Sequence, residues 1–455
     1  MFIIYPVDIY KIFGKIMIEI LSMIGLVGGL SLLIFLTIRG VNVMIAGPIS
    51  ALFVAVMSGL ALLPQLADPG QADYVASYMD GFSGFIFSWF PIFILGAIFG
   101  KVMEDCGAAD SISHWIVGKL GLKHAVFAIV AACAVMTYGG VSLFVVAFSV
   151  YPMALSLFKQ ANLPRRFIPA ALAFGSVTFT MTSAGSPEIQ NVIPIKYLGT
   201  TLYSGWQVSI VVAIFMATFG FWWLKRMIAK AVAAGECYDD RINDPVIEQN
   251  GNLPNPFLSM LPLVLVLGVS FIFHDSLKQS ALLLALTCGV IATILINWKL
   301  FKNLEGALSA GTAGALIAIG NTAAVVGFGT VAKASPAFTV VVDAMTSLPG
   351  HELIGAAVAV SVIAGLTGSA SGGQSIALPI LAPHYLELGV DPDALHRVVA
   401  ISSGALDSLP HNGYVVTTIR AICGEKHKDA YAPLAALTVI VPILGVIMAI
   451  ALFLI

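Results

Sequence analysis

Residues 351–388 read HELIGAAVAVSVIAGLTGSASGGQSIALPILAPHYLEL. The stretch is apolar almost throughout and twice the length of a short helix, yet its middle is Thr367-Gly-Ser-Ala-Ser-Gly-Gly373. Lipid cannot satisfy a free N–H or C=O group, so backbone that leaves the helix at membrane depth survives only inside protein or beside a water-filled cavity. The reading that fits is a re-entrant helical hairpin whose tip stops partway across a bilayer. A second stretch of this kind, 124–158, is broken at Thr137-Tyr-Gly-Gly-Val-Ser142.

The whole chain supports a membrane setting. Of 455 residues, 59% are hydrophobic and 10% charged, and the mean hydropathy is +0.96. A soluble domain carries about one-quarter charged residues, so a soluble enzyme or a nucleic-acid binder is excluded. Stretches long enough to cross, roughly 20 residues each, fall at 16–38, 41–63, 84–104, 167–197, 207–228, 256–273, 279–298, 305–332, 394–420 and 430–454. The N-terminus lacks an Ala-x-Ala-like cleavage site and reads as a retained first span. The five cysteines are scattered without a CxxC pair, which suggests neither a disulfide framework nor a zinc site.

The fold class expected is therefore an all-α polytopic membrane protein of about ten transmembrane helices plus two re-entrant hairpins. With that topology, all Lys and Arg except Lys11, Lys15, Lys196, Lys278, Lys333 and Arg397 lie on one face. The positive-inside rule makes that face cytoplasmic, in a bacterial-type inner membrane, with both termini outside.

Residues 229–255, containing Asp239-Asp-Arg-Ile-Asn-Asp-Pro245 and Asn250-Gly-Asn-Leu-Pro-Asn-Pro256 at their end, form the one substantial polar linker. On either side, 1–228 and 256–455 each read as three spans, a hairpin and two spans. An odd number of crossings per half makes the second copy an inverted repeat of the first. The hairpins are 124–158 and 351–388; each is followed by a broken helix, 167–197 or 394–420, interrupted at Thr182-Ser-Ala-Gly-Ser-Pro-Glu-Ile-Gln-Asn191 or Asp407-Ser-Leu-Pro-His-Asn-Gly413.

Two tips and two breaks make a polar centre. A broken helix exposes N–H groups where its second half starts, which suit a carboxylate, and carbonyls where its first half ends, which suit a cation. The substrate-binding residues expected on this basis are Thr137, Tyr138, Gly139, Gly140 and Ser142 at the first tip, and Ser183, Ser186 and Asn191 in the first break. At the second tip they are Thr367, Ser369, Ser371 and Gly372, and in the second break Ser408, His411 and Asn412. Hydroxyls and amides there can read an alcohol group. Glu188 and Asp407 are ionisable groups at membrane depth and hence candidates for ion coupling, although each could instead cap a half-helix. Sodium would sit near Thr182, Ser183, Ser369 and Asp407. Lys101, Glu104 and Asp105, spaced i, i+3 and i+4, read as an ion pair at a helix end. Asn321 is open between interhelical glue and the site, and Asp391-Pro-Asp393 reads as a helix start.

No nucleotide loop GxxxxGK[ST], HExxH or GxSxG occurs, so neither ATP-driven transport nor an enzyme is indicated, and no cofactor is expected beyond a coupling proton or sodium ion. No Arg or Lys lies in the four interruptions. A dicarboxylate would usually meet a guanidinium clamp, which leaves a small monovalent carboxylate.

The strings Gly96-Ala-Ile-Phe-Gly-Lys-Val-Met-Glu-Asp-Cys-Gly-Ala-Ala109, Tyr138-Gly-Gly-Val-Ser-Leu-Phe-Val145, Ser183-Ala-Gly-Ser-Pro-Glu-Ile-Gln-Asn191 and Gly404-Ala-Leu-Asp-Ser-Leu-Pro-His-Asn-Gly413 resemble the gluconate permease (GntP) family of the ion transporter superfamily. The resemblance covers nearly the whole chain. It implies a secondary carboxylate importer with a scaffold and a transport domain, a homodimer, and an elevator mechanism. The tip Thr-Tyr-Gly-Gly-Val-Ser departs from the sugar-acid permeases and looks more like the 3-hydroxybutyrate permease branch. The expected function is H+ or Na+ symport of a short hydroxymonocarboxylate. The rivals are a cation/proton antiporter without organic substrate, and a channel, which would need a continuous polar pore.

Overall fold

In the computed structural model, residues 6–121, 124–239, 253–346 and 350–455 are described; residues 240–252 of the expected linker lie outside them. The described chain is helical, with no strand beyond an isolated bridge between Ala61 and Asp73. In order, the helices are α1 (Pro6–Ile38), α2 (Val43–Met57), α3 (Tyr74–Asp105), α4 (Ala108–Leu120), α5 (Ala125–Tyr138), α6 (Leu143–Gln160), α7 (Ile168–Ala173), α8 (Ile189–Leu198) and α9 (Trp206–Ala233). After the linker come α10 (Pro256–Leu277), α11 (Gln279–Ile296), α12 (Leu304–Lys333), α13 (Pro336–Thr346), α14 (Glu352–Thr367), α15 (Ala370–Glu387), α16 (Pro392–Ser403), α17 (Gly413–Val416), α18 (His427–Ala435) and α19 (Val441–Phe453).

Among the described residues seven helices are long and apolar enough to cross a membrane: Met17–Thr37, Tyr74–Asp105, Leu143–Gln160, Trp206–Ala233, Pro256–Leu277, Leu304–Lys333 and His427–Phe453. Leu143–Gln160 is the second arm of the first hairpin. The span expected at 84–104 starts earlier, at Tyr74, where the Asp73 side chain accepts from the Ala76 N–H and caps the helix. Helices α4 and α13, absent from the expected spans, follow α3 and α12. Asp391 caps α16 through the Ala394 N–H, with Pro392 in the first helical position.

The sequence halves are not separate bodies. Helix α3 of the first half packs along α12 of the second, and α1, α2, α10 and α11 gather around them. Approach is close because Gly81 has no side chain: a Cβ there would stand 2.8 Å from the Val326 carbonyl oxygen. The two hairpins, the two interrupted helices, α9 and α19 form a second group. Hairpin arms α14 and α15 are drawn together at Gly373, where a Cβ would meet Ala364 Cα at 2.5 Å. The groups meet where α12 touches α15 and α3 touches α6.

All five cysteines are free; Cys106, Cys133 and Cys423 are buried as expected of small apolar residues, whereas Cys237 is exposed.

Candidate functional site

A cavity of about 640 Å³ lies between the two groups. Its wall on one side is Leu33 and Thr37 of α1, Gly96 and Lys101 of α3, Leu286 of α11, and Asn321 and Thr322 of α12. Opposite are both tips (Gly140, Ser142; Thr367–Ser371) and both breaks (Pro187–Gln190; Asp407, Ser408, His411–Tyr414).

Four helices begin at this cavity. Their N-cap residues are Ser142 for α6, Glu188 for α8, Ser369 for α15 and Asn412 for α17, which runs on through a wide π-turn at Thr417–Ile422. All four line the cavity, so four partial positive ends converge on one space. Ser369 Oγ accepts from the Gly372 N–H at 3.1 Å and Asn412 Oδ1 from the Val415 N–H at 2.9 Å. Ser142 and Glu188 make no side-chain capping bond, which leaves first-turn N–H groups of α6 and α8 without a cap. The reading of Glu188 as a cap is thus half right: it holds the position and does not make the bond.

Each tip is hooked to the break of its own half. Gly140 turns the first tip at φ +94°, and a Cβ there would reach Pro187 at 3.2 Å; Tyr138 Oη donates to the Ala184 carbonyl at 2.6 Å. At the second tip Gly368 ends α14 at φ +60°, a left-handed turn that favours glycine, and its carbonyl accepts from Asn412 Nδ2 at 2.9 Å.

The freed carbonyls of the first break go to Asn191 and Arg397. Asn191 Nδ2 donates to the carbonyls of Met181, Ser183 and Ser186. The Arg397 guanidinium donates to Thr182 O at 2.7 Å, Leu202 O at 3.2 Å, Ser204 O at 2.8 and 3.0 Å, and Asn191 Oδ1 at 2.8 Å. Arg397, expected on the outer face, is fully buried on α16. Its inward placement could not be told from surface placement in the sequence, because the carbonyls it serves lie about two hundred residues away.

Several expected contacts therefore belong to the frame rather than the wall. Asn191 spends its amide on backbone, Ser183 Oγ donates to Phe179 O, and Tyr138 is hooked as above. Thr137 and Ser186 are fully buried with unpaired hydroxyls. Gly139, Gly372 and Thr182 do not reach the cavity. The sodium set is split likewise: Ser369 and Asp407 face the cavity, while the carbonyls of Thr182 and Ser183 are taken by Arg397 and Asn191. Ten expected residues do meet there: Gly140, Ser142, Glu188, Thr367, Ser369, Ser371, Asp407, Ser408, His411 and Asn412.

The two acids have no cationic partner among the described residues. Asp407 Oδ1 accepts from Ser408 Oγ at 2.9 Å. Lys101, the basic side chain in the wall, is held by Glu104 at 3.1 Å and Asp105 at 2.8 Å, as its spacing implied. Among the described residues no group of three or more His, Cys, Asp or Glu is placed to hold a metal ion.

Gln190, Thr322 and Tyr414 also line the cavity without having been singled out; for Gln190 and Tyr414 the signal was adjacency to a break. Asn321, left open in sequence, belongs to the wall. Gln374 of α15 was not legible: its Nε2 donates to Gln190 O at 3.0 Å and Ser403 Oγ at 2.9 Å, tying hairpin, break and α16 together.

Residues 21–455 match the GntP family permease. YxjC of Bacillus subtilis (strain 168), an uncharacterized transporter, is 37% identical, with 90% of this chain and 94% of that protein covered. A high-affinity gluconate transporter of Escherichia coli (strain K12) is 24% identical over 43% of this chain and 41% of its own length. The crystal structure of the YdaH transporter of Alcanivorax borkumensis covers 95% of this chain and 98% of that one at 15% identity, with a TM-score of 0.49. The chain belongs to the GntP permease family, which indicates a transporter rather than an enzyme.

Proposed function

We propose that this GntP-family permease is a secondary active transporter that imports a short hydroxymonocarboxylate, of the 3-hydroxybutyrate or gluconate kind, by H+ or Na+ symport. The observation that carries the reading is the convergence of four helix N-termini and two unpaired carboxylates on one cavity whose lysine is already neutralised. The naming of an E. coli relative as a gluconate transporter agrees with the substrate class.

The coupling follows from charge. An anionic solute seated against the uncapped starts of α6 and α8, near Ser142, shares the cavity with Glu188 and Asp407. Three negative groups in one cavity with largely apolar walls repel one another. A proton or sodium ion taken up at Asp407 neutralises one of the three and lowers that repulsion, so cation uptake favours solute entry. Because Asn191 and Asn412 spend their amides on the protein, the solute hydroxyl is read by Ser408, Gln190 or Asn321.

Alternating access is proposed to be of the elevator type, with the hairpins and broken helices moving against α1, α2, α3 and α10–α12. Arg397 ties α16 to the first break. Arg165 Nε, just before α7, donates to Glu425 Oε1 beyond the second break at 2.8 Å, with both side chains 3% exposed. The moving group is thereby braced at two points. The two halves as inverted repeats, the outward termini in a bacterial inner membrane and the homodimer complete the proposal.

The test is uptake of labelled 3-hydroxybutyrate and gluconate into proteoliposomes with sodium and proton gradients imposed separately. Gradient-driven accumulation of either acid is expected. Ion exchange without solute uptake, and no thermal stabilisation by millimolar hydroxy acid, would favour the antiporter instead.

A further inference from the structure

A second hollow, of about 580 Å³, opens between the base of the first hairpin and the later turns of α9. Its walls are apolar: Phe127 on α5, Leu163 after α6, and Phe221, Ile228 and Val232 on α9. Phe127 stands edge-to-face on Phe221 with ring centroids 5.3 Å apart, closing one end. At the rim are two basic side chains, Lys225 and His124, the latter with Nδ1 at 3.1 Å from the Leu120 carbonyl, and among the described residues no acidic side chain lines the hollow. Lys225 is exposed and has no carboxylate partner among the described residues. Arg226 follows on α9, its guanidinium over the Trp222 ring at 5.7 Å, an aromatic and a cation of the kind that anchor at a bilayer boundary. The hollow lies on the side to which charge placement assigns the cytoplasm, where anionic lipid is concentrated.

We propose that this hollow binds an anionic phospholipid, with the phosphate against Lys225 and His124 and one acyl chain along Phe127, Phe221 and Val232. Charge and shape both select the occupant. A free anion would leave the apolar walls wet, and a zwitterionic lipid brings a cation of its own that offsets the attraction of its phosphate to Lys225. Lipid seated there braces the hairpin base against α9, adding to the Phe127–Phe221 contact and to the bond that the Tyr238 N–H, beyond α9, donates to Asn162 Oδ1 at 3.2 Å.

The test uses the full-length protein, purified and stripped of lipid in detergent. Adducts are read by native mass spectrometry and unfolding by thermal melting, with phosphatidylglycerol, phosphatidylcholine or inorganic phosphate added. Phosphatidylglycerol is expected to be retained and to raise the melting temperature, while phosphatidylcholine and phosphate leave it unchanged. Lys225→Gln should weaken retention about fivefold, the effect of one lysine at an anionic surface, and Ala229→Phe, which fills the hollow, should abolish it while the protein stays folded. Equal retention of both lipids, stabilisation by phosphate alone, or undiminished retention in both variants would overturn the proposal.

Discussion

Asn191 Oδ1 accepts a hydrogen bond from the Arg397 guanidinium at 2.8 Å, and both side chains are fully buried. The pair joins a break in the first half of the chain to a helix in the second, and all five guanidinium N–H groups find oxygen. Arg397→Gln offers two N–H donors where the guanidinium offers five, and of the acceptors it serves only Leu202 O keeps another partner, the Gly185 N–H. It should cost about 3 kcal/mol or more, since a hydrogen bond to a charged group contributes about 1.5–3 kcal/mol. Asn191→Ala should cost less, about 1–3 kcal/mol. Thermal melting in detergent reads both, and an Arg397→Gln protein as stable as the parent would remove the strut.

Asp407→Asn should abolish gradient-driven accumulation and leave some solute exchange, because the variant no longer exchanges its charge with the coupling ion. Glu188→Gln is the control for the second acid. Accumulation unchanged in Asp407→Asn would take that residue out of the coupling role.

The two tip serines should behave differently. Ser369 caps α15, so Ser369→Ala should lower stability by about 1 kcal/mol. Ser142 makes no capping bond, so Ser142→Ala should leave stability within about 0.5 kcal/mol and raise KM for the acid. A reversed pattern would contradict the assignment of the free helix start to the solute.

Gly368 turns at φ +60°, and a Cβ would stand 2.7 Å from His411 Cδ2. Gly368→Ala should cost about 2 kcal/mol or more, combining left-handed strain with the clash. Gly389→Ala, at φ +80° with open space around it, should cost only the conformational part, about 1 kcal/mol. Equal melting temperatures would show that the tip yields.

Glu236, beyond α9, meets Arg166 through Oε2 at 2.6 Å and Oε1 at 2.7 Å, and that pairing holds its carboxyl below the usual glutamate range. A lowered folded value contributes stability in full above the ordinary pKa of about 4.3, and the contribution disappears as pH falls through the folded value. The pair is partly exposed, so its worth is below about 1 kcal/mol. Glu236→Gln should therefore melt slightly earlier than the parent at neutral pH, with the gap closing in acid; a gap that persists unchanged at about pH 3 would deny the ionic origin.

Much of the architecture was legible because lipid is an unforgiving solvent. Apolar length marked the helices, and the small polar residues in 124–158, 167–197, 351–388 and 394–420 could only be interruptions, as Gly140, Gly368 and the stretches before Ile189 and Gly413 turned out to be. The sequence by itself determined that the chain is helical, membrane-borne and broken at four places. Tertiary structure alone decided which polar groups face the cavity and which are consumed in holding it open. Asn191, Tyr138 and Ser183 looked equivalent to Ser142 in one dimension, and Asn321 was open between packing and the site. Freed backbone must be paired before a solute can be, and the donors that pair it, Arg397 and Gln374, arrive from distant helices whose direction no local spacing records.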